Sequence, residues 1–260
     1  MPSNYWVNGV KADDLDARWW VREEIYTPPT GTLISAAATP GTFWSQGMNM
    51  VGGQAATLWQ AYTIRDIWAF RRWLESLPYA AWLEVRPAKE SNKPATRCLF
   101  KILSVSDPIK NGDGVVQVGV TWEAIGVWED TVLNETEFRW LPGFTGSHFP
   151  AKDVAFSVPF PRDWVEISCA VTGSWVRGII PNGTTGDHVL LDPTRMRMKR
   201  GTDWFAETGV DMDSSLFVDP RGFHLIPNAE GKFNLISKGY KDTANPKIRF
   251  RRTYAQPVFA

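Results

Sequence analysis

The amino-acid sequence predicts two units in series: an α+β unit with one helix at residues 1–130, a linker at 131–150, and an all-β sandwich at 151–260. Three observations carry this reading. Only the stretch after Thr63 repeats apolar residues at helical spacing. Elsewhere, short runs alternate apolar with polar residues between Gly, Pro, Asn and Asp turns. The pattern weakens from Trp128-Glu129-Asp130 to Pro150, where Pro142-Gly143 and Gly146-Ser147 punctuate the chain. A chain of 260 residues holds one large or two ordinary domains. Chains of this size bury roughly 70–75% of their unfolded surface, enough for a full core.

The first unit opens in β structure. Asn8-Gly9 between Trp6-Val7 and Val10 predicts a hairpin, because a two-residue primed turn needs positive φ at both central positions. After a turn-rich region from Thr27 to Gly53, Leu58, Gln60 and Tyr62 alternate with Trp59, Ala61 and Thr63 as a strand. Thr63 with Asp66 forms a capping-box pattern, Ile67, Phe70, Leu74 and Leu77 follow at helical spacing, and Pro78 stops the helix. Arg65, Arg71, Arg72 and Glu75 fall on the opposite face, which is either solvated or used in subunit pairing. Three strands follow: Trp82 to Arg86, Arg97 to Ser106, and, after the Asn111–Gly114 turn, Val116, Val118, Val120 and Trp122 in alternation with Gln117, Gly119, Thr121 and Glu123.

No helix is predicted beyond the linker. Val165, Ile167, Cys169 and Val171 alternate with Glu166, Ser168, Ala170 and Thr172, and short strands follow at Val189–Leu191 and Arg195–Met198. Turns at Asn182-Gly183, Thr185-Gly186-Asp187, Asp192-Pro193 and Asp219–Gly222 separate many short strands, the pattern of a sandwich. The stretch Leu225–Ile236 with its Pro227 and Gly231, followed by Lys247–Tyr254, reads as a closing pair forming the sandwich's last edge.

Lys plus Arg and Asp plus Glu both total 28, so no global basic field draws the chain to nucleic acid or anionic lipid. The 14 Trp exceed the 6 Tyr, and large rings serve both cores and subunit contacts. Cys98 and Cys169 fall in different units on strand patterns and read as free buried thiols. Without a basic-then-apolar leader or a run of about 18 apolar residues, the sequence predicts a soluble product made in the cytoplasm, with no membrane insertion.

Chemistry finds little purchase. His148, His188 and His224 lack a neighbouring His or Cys at zinc-ligand spacing and read as structural or surface residues. Asp211, Asp213 and Asp219 lack the central Gly and terminal Glu of an EF-hand and read as turn-making carboxylates. Gly52-Gly53 lacks the flanks of a nucleotide fingerprint, and no nucleophile elbow or phosphate loop occurs. The expectation is no enzyme: no catalytic residues, metal or cofactor.

Several motifs resemble the distal tail proteins of long-tailed bacteriophages. They are Val7-Asn8-Gly9, the helix ending Trp73-Leu74-Glu75-Ser76-Leu77, the strand Val118-Gly119-Val120-Thr121-Trp122-Glu123, Asn182–Gly186 leading to Leu190-Leu191-Asp192-Pro193 and Arg195-Met196-Arg197, and the closing strands. The chain differs from the family in carrying Asn228-Ala229-Glu230 between Pro227 and Gly231, where a tighter turn is usual. The resemblance implies a tail-tube-like first domain, built of β sheets or a split barrel with one helix, followed by a galectin-like sandwich. It further implies a homo-hexameric ring at the virion tail tip, joining the tail tube protein to the baseplate hub or tail fibre. The ring leaves a channel for the tape-measure protein and DNA, without sequence-specific DNA contact. An alternative expectation is a carbohydrate-binding tail module contacting the host surface through the sandwich, with Trp164, Trp175 and Trp204 as candidate stacking residues.

Overall fold

The computed structural model describes residues 5–11, 15–16, 18–27, 54–86, 94–138, 143–145, 149–181, 187–240 and 244–254. Most of the turn-rich Thr27–Gly53 region, the Asn182–Gly186 turns, Gly146-Ser147 and His148 lie outside the described residues. The chain is mostly β and divides into two compact units, residues 1–131 with 254–260, and residues 132–253.

The first unit begins with β1 (Tyr5–Val7) and β2 (Val10–Lys11), joined by Asn8 at φ 48° and Gly9 at φ 81°. Both turn residues take the left-handed region that a primed turn demands. The Asn8 carboxamide oxygen also accepts from the Trp82 N–H at 2.9 Å, tying the hairpin to the neighbouring strand. There follow β3 (Trp19–Thr27), β4 (Gln54–Ala61), α1 (Ile64–Ser76), β5 (Ala81–Val85), β6 (Thr96–Val105), β7 (Ile109–Lys110), β8 (Val116–Ala124) and β9 (Trp128–Asp130). The sheet runs β2-β1-β5-β6-β8-β4-β3, with β7 on β8 and β9 beside β6.

Helix α1 starts as the sequence predicts. The Thr63 hydroxyl accepts from the Asp66 N–H at 3.2 Å and donates to the Asp66 carboxylate, satisfying an otherwise orphaned backbone donor. Ile67, Phe70 and Leu74 are buried over β3, β4 and β8. Phe70 meets Trp59 at 4.7 Å and Trp19 at 5.8 Å between ring centroids. Beneath the helix, Trp59 and Trp122 are wholly buried, and each donates its indole N–H to the Thr57 hydroxyl at 2.9 Å. One threonine on β4 therefore satisfies two buried indoles that would otherwise be costly to desolvate.

In the second unit, two antiparallel sheets share one core. The strands are β10 (Asn134–Glu137), β11 (Gly143–Thr145), β12 (Lys152–Pro159), β13 (Pro161–Cys169), β14 (Trp175–Ile179), β15 (His188–Asp192), β16 (Arg197–Gly201), β17 (Val210–Asp211), β18 (Leu216–Val218), β19 (Lys232–Tyr240) and β20 (Lys247–Arg251). One sheet runs β10-β20-β12-β15-β16-β17, the other β11-β19-β13-β14-β18. Alternation dictates their inner faces: Phe156 and Val158, Ile248 and Phe250 point inward from the first sheet, Val165, Ile167, Phe233 and Leu235 from the second. Phe233 and Phe250 meet edge to face across the core at 5.2 Å. Gly178 on β14 lets the two sheets pack closely, since a Cβ there would lie 2.8 Å from Leu191 Cδ2 and from Met198 Cε. Between strands, the predicted turns close through their own side chains: Asp192 accepts from the Arg195 N–H and Asp219 from the Arg221 N–H, both at 2.9 Å.

Four expectations change. The segment read as a linker at 131–150 carries β10 and β11, which pair with β20 and β19. Its Gly and Pro residues hide strands too short for a periodic signal. The stretches taken as a closing edge pair do not pair with each other. Strand β19 lies between β11 and β13, while β20 lies between β10 and β12 in the other sheet. Alternation reveals that a strand has a buried face but not which strand it bonds. Val171 is exposed, because β13 ends at Cys169 and Gly173, at φ 69°, turns the chain. Finally, the chain leaves the second unit before its end: Tyr254 belongs to the first unit, where its hydroxyl donates to the wholly buried Asp130 at 3.0 Å.

Candidate interaction surfaces

In the first unit, the outward side of α1 carries apolar bulk. Ile64 and Trp68, one turn apart, are about half exposed, and Tyr62 just before the helix is 72% exposed. Arg71 covers the Trp68 ring at 5.1 Å and reaches Asp107 at 3.9 Å. The face contains the Arg65, Arg71, Arg72 and Glu75 set predicted from the sequence, interleaved with aromatic and aliphatic surface that helical spacing of the core residues alone did not reveal. Burial of rings flanked by arginine is the composition typical of protein contacts.

In the second unit, the structure brings two of the three candidate tryptophans together. Trp164 on β13 and Trp175 on β14 both lie on the outer face of the second sheet, because they fall on the opposite parity from Val165, Ile167 and Val176. Arg177, directly opposite Glu166, stands between them, its guanidinium 5.5 Å from the Trp164 ring and 5.6 Å from the Trp175 ring. Both Nε and Nη2 of Arg177 donate to one Glu166 oxygen, the Nε contact measuring 2.9 Å. Ile179, opposite Trp164 in register, and Phe217, opposite Arg177 on β18, are each nearly half exposed. Asp163, Trp164, Arg177 and Ile179 line an open cavity of 390 Å³.

Gly239 fixes the Trp164 end of this face. It has φ 83° on β19, where the β13–β19 register shifts, and a Cβ there would lie 2.1 Å from the Trp164 carbonyl oxygen. Only a residue without a side chain tolerates both that conformation and that approach. Trp204 stands apart. It sits in a 3-10 turn beside the other sheet, its ring tilted against His188 at 4.3 Å and covered by Lys247 Nζ at 4.5 Å. The three tryptophans therefore do not form one site. Arg177, Glu166 and Asp163 were missed because cross-strand neighbours are invisible until register is known.

The titratable groups weighed in the sequence are engaged locally. Asp213 accepts from the Met198 N–H at 2.7 Å, Asp211 lies 3.4 Å from Lys199 Nζ, and Asp219 pairs with Arg221 at 2.8 Å. The Arg221 hydrogen bond holds the Asp219 carboxyl below the usual range. His224 Nε2 lies 2.8 Å from the Arg221 carbonyl, and burial pushes its imidazole below its ordinary value. His188 Nδ1 lies 3.1 Å from the Thr202 carbonyl. Among the described residues, no group of three or more His, Cys, Asp or Glu converges to hold a metal ion. Cys98 and Cys169 are buried thiols, and no helix among the described residues is long and apolar enough to cross a membrane.

Among the described residues, two β-rich units, one roofed by helix α1 and one built of two sheets without an α-helix, define the fold class. The fold is similar to that of the Dit protein (gp 19.1) of phage SPP1, at a TM-score of 0.60 and 11% identity, covering 96% of this chain and 98% of that chain. That protein is described as a paradigm of the hub adsorption apparatus in phages infecting Gram-positive hosts. Chains of the phage P2 baseplate in its activated conformation, solved with Ca and with Sr, match at a TM-score of 0.36 and 8% identity over 90% of each chain, too low to bear on the fold. No family model and no curated protein matches the sequence.

Proposed function

We propose that this chain is a structural, non-enzymatic component of a bacteriophage tail tip, a distal tail protein. The observation that carries the reading is the likeness to SPP1 Dit along nearly the full length of both chains, so that it takes in both units rather than a common sheet alone. It agrees with the order of motifs by which the sequence resembles the distal tail family.

In this reading six copies close into a ring through their first units, joining the tail tube protein to the hub. The opening passes the tape-measure protein and then DNA. The second unit is a galectin-like sandwich. A closed ring needs two different complementary surfaces on each copy, and the outward side of α1 with Tyr62, Ile64 and Trp68 supplies one of them. Interfaces of permanent assemblies bury on the order of 2,000 Å² or more, which a helix face alone does not provide, so the adjoining sheet edge takes part. Balanced charge lets like chains pack without strong repulsion.

Size-exclusion chromatography with light scattering tests this. The expected mass is six times the 29.3 kDa of one chain, with annular particles in negative stain. A persistent monomer at micromolar concentration that also fails to join tail-tube subunits overturns it.

A further inference from the structure

We infer that the outward stripe of helix α1 is complementary to itself, so that two copies of the chain pair through it with their helices antiparallel. The pairing stands apart from the ring reading; only its consequence for assembly rests on that reading.

The exposed side of α1 carries Ile64, Arg65, Trp68, Arg72, Glu75 and Ser76. Their spacing of three and four places them on one stripe. Neighbouring charges are engaged within the chain: the Thr63 hydroxyl donates to the Asp66 carboxylate, and Arg71 reaches Asp107 at 3.9 Å. Among the described residues, Arg65, Arg72 and Glu75 make no ion pair.

Two of these charges oppose their own helix. Arg65 lies in the first turn, at the positive end of the helix dipole. Glu75 lies in the last turn, at the negative end, which holds no Lys, Arg or His to offset it. An antiparallel second helix reverses both conditions at once, because the negative end of one helix then lies beside the positive end of the other.

The positions suit a twofold axis. Residues 65 and 75, like 68 and 72, stand at equal distances from residue 70 along the helix. Pairing about that level sets Arg65 of each copy beside Glu75 of the other, so the contact forms two charge pairs by symmetry. It also sets Trp68 beside Arg72 of the second copy. The Trp68 ring has its own Arg71 at 5.1 Å yet remains about half exposed, which leaves surface for a second guanidinium. All the unengaged charges of the stripe thus find partners in one arrangement.

One helix packed on another belongs among contacts of less than about 1,200 Å², the weak and transient class. A reversible pair suits an assembly protein. It covers Trp68, which the ring reading assigns to the contact between ring neighbours, so a copy parts from its twin before it enters a ring. Pairing thereby sets a threshold concentration for assembly by mass action.

Sedimentation velocity across a dilution series tests the inference. A species of twice the 29.3 kDa chain mass is expected, with a Kd on the order of 10 μM. Arg65→Glu and Glu75→Arg, each alone, bring like charges together and are expected to weaken pairing at least about tenfold. Their thermal midpoints hold or rise, because each new charge suits its own helix end. The double variant Arg65→Glu/Glu75→Arg is expected to recover pairing to within about threefold, a rescue that a merely local role for either residue would not give. Oxidation of the double variant Arg65→Cys/Glu75→Cys is expected to link two copies, while Arg65→Cys alone does not, since residue 65 of one copy lies about 15 Å along the axis from residue 65 of the other. Passage from monomer to hexamer with no species of twice the mass up to about 200 μM overturns the inference. Undiminished pairing in both single variants, or no recovery in the double variant, also overturns it. A dimer that never yields a hexamer counts against the ring reading alone, and a hexamer without a dimer counts against the pairing alone.

Discussion

The two units use tryptophan in opposite ways. In the first, Trp59 and Trp122 sit beneath α1 with no exposed surface and share the Thr57 hydroxyl. In the second, Trp164 and Trp175 stand on the outside of a sheet and flank an arginine. The difference is one of parity. Trp59 falls in step with the buried Thr57 and Ala61, whereas Trp164 falls out of step with Val165 and Ile167. The same side chain thus makes a core in one unit and a surface in the other, according to which side of the pleat its position faces.

The sharpest way to break this comparison is to truncate one ring in each unit. Trp122→Ala removes a wholly buried indole and is expected to cost about 3–5 kcal/mol of first-unit stability. Trp164→Ala removes a ring already partly in water and is expected to cost under about 1 kcal/mol. Equal losses in denaturant titrations, followed separately for the two units, would abolish the distinction. Next in size, Trp68→Ala removes the aromatic centre of the outward helix face. If the chain assembles into the proposed ring, this substitution is expected to weaken assembly about thirtyfold, roughly 2 kcal/mol, with the thermal midpoint of the dissociated chain unchanged, as read by light scattering across a dilution series.

Gly239→Ala sharpens the second half of the comparison, because it attacks the placement of Trp164 without touching the ring. The left-handed backbone and the 2.1 Å approach to the Trp164 carbonyl predict a loss of about 1–3 kcal/mol, with a changed tryptophan emission maximum. An unaltered spectrum would show that the bulge does not set the ring. The smallest effect is pH-dependent. Burial lowers the His224 pKa from its ordinary 6.5, so the folded second unit binds that proton less readily than the unfolded chain. Its stabilising share is present above about pH 6.5 and is lost as the pH falls through the folded value. His224→Asn is expected to flatten the slope of stability against pH in that window, and an unchanged slope would assign acid sensitivity to other groups.

Local chemistry made much of this fold legible in the sequence. The Asn8-Gly9 turn, the Thr63 cap, the Pro78 stop and the alternation of β8 all rest on neighbours within a few residues, and each appears where those neighbours require it. Partnership between distant strands was not legible. β19 and β20 are equally good half-buried strands, and nothing in their alternation assigns them to different sheets. The candidate site divides the same way. Trp164 and Trp175 were recognisable as residue types, but Arg177 became their partner only through the β13–β14 register, and Trp204 was separated by a choice of sheet. The short β10 and β11 were hidden because four and three residues are too few to show a period.

The return of Tyr254 to Asp130 has a topological consequence. The polypeptide departs the helix-bearing unit just after Asp130 and re-enters it at a residue bonded to that same carboxylate, so exit and entry points are neighbours. In chain order the second unit is therefore an insert between two passages through the first. Such an arrangement permits a whole sandwich to be exchanged for another module, or for a brief glycine-serine bridge, while both ends of the host fold stay anchored.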